Sequence, residues 1–138
     1  MKDLICIAAG IIGGAIASAF GGWDPLLKAL IICMCVDYAT GAILALVFHK
    51  SLKSEKGGYS SAVGVKGLFK KCAILLGVII CVQIDKVMGT NFARDAACIC
   101  FALNDMLSVV ENLGLMGVPM PKKVTKALEV FKSKEEEA

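Results

Sequence analysis

The chain has 138 residues, 57% of them hydrophobic, and a mean hydropathy of +0.74, more apolar surface than a soluble core of this length can bury when soluble domains average about 45–50% apolar. A net charge of +3, with no basic face carrying interleaved aromatics, gives no ground for nucleic-acid binding. The apolar residues are gathered into long runs with almost all the charge between them, which predicts an all-α, multi-pass transmembrane protein.

Residues 4–23 hold no charge and, as a helix, reach about 30 Å, the thickness of the hydrocarbon core. Trp23 ends the run where an aromatic ring suits the interface, and Asp24-Pro25 breaks the helix. Lys2, this stretch and Ala17-Ser18-Ala19 also resemble a cleavable signal, but the run is long and further spans follow it. Its other feature is two ridges of small residues, Gly10/Gly14/Ser18/Gly22 and Gly13/Ala17/Gly21, which suit close helix packing in lipid.

A second span is expected over 26–48, with Lys28 able to snorkel and Asp37 near its middle. Residues 49–71 read as a lysine-rich loop around Gly57-Gly58. The third run, 72–88, is short for a span, so the bundle has four membrane helices, or three if this run does not cross. Gly89-Thr90-Asn91 reads as a turn. The fourth run, 96–116, is long enough but carries polar groups, and Pro119 and Pro121 stop it. The transmembrane region is thus 1–118. The tail, 119–138, has Val124, Ala127, Leu128 and Phe131 at amphipathic-helix spacing and ends in a charge cluster.

With four spans, Lys2, the loop lysines (Lys50, Lys53, Lys56, Lys66, Lys70, Lys71) and the tail lysines (Lys122, Lys123, Lys126, Lys132, Lys134) share one side. Those twelve face three on the other side, Lys28, Lys86 and Arg94, so the positive-inside rule puts both termini in the cytoplasm.

A charge at a helix centre costs roughly 2.5–3.5 kcal/mol and tends to face another helix or water. Asp37 shares a face with Gly41 and Ala45, where small residues admit a neighbouring helix. Asn104, Asp105, Ser108, Glu111 and Asn112 gather on one stripe of the fourth run. Each group reads either as an interhelical hydrogen-bond partner inside the monomer or as a pore lining. The stripe also admits a helix that only lies on the membrane surface.

The seven cysteines include Cys33/Cys35 and Cys98/Cys100, whose spacing turns paired thiols to nearly opposite helix sides, so reduced thiols and no metal site are expected. No catalytic set and no cofactor motif emerges: His49 sits beside Lys50 at a span end, and no nucleophile accompanies a base.

Taken in order, Gly22-Trp23-Asp24-x-x-Leu27, Asp37-Tyr38-x-Thr40-Gly41, Gly64-x-Lys66-Gly67-x-x-Lys70-Lys71, Asp85, Asn104-Asp105-x-Leu107-Ser108-x-x-Glu111-Asn112 and Gly117-Val118-Pro119-x-Pro121 resemble the toxin-secretion/phage-lysis holin family over about residues 20–130. The usual wording of the strongest motif has glutamate where this chain has Asp105, which keeps the charge. The resemblance implies a bilayer protein that forms a homo-oligomer, opens lesions in the bacterial cytoplasmic membrane and so releases endolysin or toxin, with endolysin as functional partner. Other expectations stay open beside it: a small oligomeric channel or transporter subunit passing only small solutes, and a membrane anchor that binds partners through its lysine loop and tail.

Overall fold

The structure, a computed structural model, describes residues 1–51, 57–58 and 60–137, and every regular element among them is helical. The helices are α1 (Lys2–Ala19), α2 (Pro25–Ile43) with a π-helical continuation at Leu44–Phe48, α3 (Ser61–Met88), α4 (Phe92–Leu115) and α5 (Lys122–Glu137). The first four are long and apolar enough to cross a membrane.

Local chemistry sets the breaks. Gly21 and Gly22 take positive φ after α1. Asp24 then caps α2, its Oδ1 accepting from Leu27 N at 3.0 Å, with Pro25 at the first helical position. Gly89, in the left-handed region at φ 67°, closes α3 before α4 starts at Phe92.

The third helix departs from the sequence expectation. It starts at Ser61 rather than Cys72, and its 28 residues reach about 42 Å, enough to span. Lys66, Lys70 and Lys71 therefore lie in a helix and not in a 49–71 loop, whose Lys53 and Lys56 fall outside the described residues. Charge made this stretch look like a loop. Lys66 and Lys70 are exposed near the helix start, where lysine can snorkel, while Lys71 is turned inward onto acids. Gly64 and Gly67 serve the contact with α2: Tyr38 donates its hydroxyl to the Gly64 carbonyl at 3.2 Å, and a Cβ on Gly67 would lie 3.8 Å from the Tyr38 ring.

α4 is the hub, packed chiefly on α2, then on α3, with α5 against it. The buried residues come at steps of three, four or seven: Leu27, Leu30, Met34, Asp37 on α2; Val78, Val82, Asp85 on α3; Arg94, Cys98, Ala102, Asp105, Asn112 on α4. Leu30, Met34, Val78, Cys98 and Ala102 form an apolar middle layer between two charged layers. α1 has no buried residue. No disulfide joins the seven cysteines.

Candidate functional site

The charged layer beyond the apolar core is built from three helices. Asp37 is midway along the α2 span, Asp105 near the middle of α4, and Lys71 in the first half of α3. The Lys71 ammonium donates to Asp37 Oδ2 at 2.8 Å and to Asp105 Oδ1 at 3.3 Å, with side-chain exposures of 15%, 7% and 5%. One cation thus bridges two acids in the low-dielectric interior, where isolated charges are costly. Next along the bundle, Asn112 Nδ2 donates to Thr40 Oγ1 at 3.1 Å, and Thr40 donates to the Asp37 carbonyl at 3.1 Å. A Cβ on Gly41 would sit 3.9 Å from Asn112 Nδ2, so this glycine lets the amide come close.

A cleft of about 350 Å³ leads to this cluster. Asp37, Lys71 and Asp105 line it, as do Asn104, Ser108 and Glu111; it reaches Ser60 before α3 and Lys132 on α5. It opens at the end of the bundle where the loop and tail lie.

The opposite end is held by Arg94. Its guanidinium donates to both Asp24 oxygens, at 2.6 and 2.8 Å, to Asp95 at 3.1 Å, and to the carbonyls of Phe20 (2.9 Å) and Gly22 (3.3 Å). A planar fork suits such bidentate pairing. The contact ties the α1–α2 turn to the start of α4, and a Cβ on Gly21 would lie 3.4 Å from Arg94 Nε. Asp24, outside the spans, is held at about 2, chiefly by its hydrogen bonds from Arg94, which outweigh the opposing desolvation, with the Leu27 amide adding to them. Asp85 caps α4 across the hairpin, accepting from Thr90 Oγ1 (2.7 Å), Ala93 N (3.0 Å) and Arg94 N (2.9 Å).

The sequence-predicted residues divide. Asp37 and Asp105 meet on one lysine, and Asn112 is buried against α2. Ser108 is half-buried, while Asn104 and Glu111 are exposed, all three on the cleft wall. Gly10, Gly13 and Gly14 have open space around them, Ala17 is partly buried and Ser18 exposed, so the first half of the α1 ridges meets no neighbour among the described residues. Gly21 and Gly22 belong to the turn instead. Sequence reasoning missed Lys71 as an intramembrane partner and Arg94 as the tie at the opposite end of the bundle. The available signal was spacing: Lys71, Val78 and Asp85 are seven apart on one face, and two mid-span acids call for a base at matching height.

Comparison with known proteins agrees with this membrane architecture. The profile of the bacteriophage holin family matches residues 14–133. The chain is 30% identical to an uncharacterized protein of Halalkalibacterium halodurans over 98% of both chains. It is 36% identical to one of Listeria innocua over 94% of this chain and 89% of that one. It is also 32% identical to a probable holin of Bacillus phage phi105, over 78% of this chain and 74% of the phage protein. No solved structure matches. A family match over most of a four-span helical chain establishes that this protein belongs to the bacteriophage holin family.

Proposed function

We propose that the protein collects as a homo-oligomer in the bacterial cytoplasmic membrane and opens a lesion that releases endolysin or toxin. The observation that carries this reading is a division within the bundle. The polar groups of α2, α3 and α4 are gathered around Lys71, while α1 offers an apolar surface with no buried residue. In the monomer the costly charges are hidden. On crowding, α1 ridges associate and the cleft widens, so that the hidden Asp37 and Asp105 meet water alongside Asn104, Ser108 and Glu111 on its wall, and their burial penalty vanishes. Assembly and opening then reinforce each other.

The orientation proposed has both termini in the cytoplasm. Taking mid-span Lys71 out of the positive-inside count leaves eleven basic residues against three, so the rule still favours it.

The test is inducible expression in a bacterial host with and without a cytoplasmic endolysin, following turbidity and membrane potential. Abrupt depolarisation, with turbidity collapsing only when endolysin is present, is expected. Depolarisation without lysis would assign a small-solute channel instead, and no depolarisation would reject both.

A further inference from the structure

The Asp37–Lys71–Asp105 cluster has a feature that ion pairing alone does not explain. Asp37 and Asp105 are 5% and 3% exposed, and their carboxyl groups lie within hydrogen-bonding reach of each other as well as of Lys71. Asp105 uses Oδ1 for the lysine; its Oδ2 is buried and accepts from no donor among the described residues. Whatever further group Asp37 engages, one ammonium faces two acids and the two acids face each other. Two ionised carboxylates so placed in a dry site repel strongly, and a buried acceptor without a donor carries the full desolvation cost.

We propose that Asp37 and Asp105 bind one exchangeable proton between them, delivered from water in the cleft. A hydronium ion entering from the loop-and-tail end gives its proton to one carboxylate and leaves as water. The new O–H bond donates to the other acid, and release is the reverse. With Lys71 charged, uptake takes the three groups from a formal −1 to neutral. The ligand fits better than a metal ion. The Lys71 ammonium already rests on both carboxylates and repels a second cation, and no cluster of three acid, histidine or cysteine side chains among the described residues could hold a metal. A proton needs only two facing oxygens.

Among the described residues, the titratable groups around the pair are Cys33 and Tyr38 from α2, Lys70 and Lys71 from α3, Glu111 from α4 and Lys132 from α5. Glu111 is exposed on the cleft wall and Lys132 reaches the same cleft from α5, so their charges are screened by water, whereas Lys71 is in contact. Proton occupancy thus follows the pH of the compartment on which the cleft opens. Loss of the proton returns an uncompensated negative charge to the contact of α2 with α4. The site is independent of the size of any lesion the chain opens, so its test is separate from the lysis assay.

The experiment is infrared spectroscopy of the full chain in lipid vesicles, over a pH series, in light and heavy water, with sodium exchanged for potassium at fixed pH. The expected result at pH 7 is a protonated-carboxyl band worth one proton per chain that shifts in heavy water and ignores the alkali exchange. Asp37→Asn and Asp105→Asn should each abolish it, and Glu129→Gln on exposed α5 should leave it intact. Should the asparagine variants fail to fold, Asp105→Glu keeps the acid and should retain the band at a shifted frequency. A wild-type spectrum with no protonated carboxyl at pH 7 overturns the proposal. So does a band that survives both asparagine substitutions, or a spectrum that changes with the alkali ion, which would mark a cation site.

Discussion

Lys71 is the residue on which most of the bundle's electrostatics turn. Removing one partner from a buried ion pair costs about 3–5 kcal/mol, because the remaining charge stays buried and uncompensated. Lys71→Met should therefore lower stability by about that amount, measured by denaturant titration in detergent micelles, and the added changes Asp37→Asn and Asp105→Asn should recover most of it. A single-variant loss below about 1 kcal/mol would mean that the pair behaves like an exposed one. The Asp24–Arg94 pair makes a prediction of the opposite kind, about pH. The Asp24 carboxyl is held at about 2 in the folded protein against 3.8 when free, so the folded state favours the ionised form. The stabilisation is present in full above pH 3.8 and is lost as pH falls through about 2. In a thermal-melt series on detergent-solubilised protein, wild type should lose stability across this window, and Asp24→Asn should start lower and lose less. Equal slopes would remove Asp24 from the account. Both acids of the mid-span cluster were legible in the sequence because a charge inside an apolar run stands out. Lys71 was not, because a lysine at the end of a lysine-rich stretch looks the same whether it faces water or an aspartate.

At the scale of elements, three of the four membrane helices follow from hydropathy and punctuation: Asp24-Pro25 opens α2, and Gly89 to Asn91 separates α3 from α4. α3 was underestimated because hydropathy treats each lysine as a cost, while the folded bundle lets two snorkel and pairs the third. α1 poses a different problem. Its small-residue ridges are plain in the sequence, yet Gly10, Gly13 and Gly14 face nothing within 4 Å. A Cβ added there meets no other element among the described residues. Gly14→Leu should consequently leave helical content and the melting midpoint of the solubilised monomer unchanged, and should sharply reduce cross-linked oligomers in native membranes. Loss of fold in the monomer would show that α1 packs inside the chain, and unaltered cross-linking would place the subunit contact elsewhere.

At the scale of the whole molecule, the bundle is a stack of layers. Arg94 fastens one end, an apolar layer follows, then the Lys71 cluster, then a cleft whose wall carries Asn104, Ser108 and Glu111. The two ends differ in how easily they part. Arg94 makes four hydrogen bonds that join the α1–α2 turn to α4, whereas the other end is open at the cleft. Opening should therefore begin at the cleft, with the Arg94 end as pivot. Glu111 is decisive for that direction, since an exposed acid on the cleft wall is cheap only while water reaches it. Glu111→Leu replaces it with an apolar side chain that favours the lipid-facing or closed arrangement, by less than the roughly 2.5–3.5 kcal/mol of a charge at a helix centre because Glu111 is exposed near the end of α4. With endolysin present, the variant should lyse cells late or not at all at wild-type membrane abundance, the delay being read from the turbidity trace and abundance from immunoblots of membranes. Lysis on the normal schedule would mean that this wall does not line the opening, and the pore would have to be sought on the surface of α1.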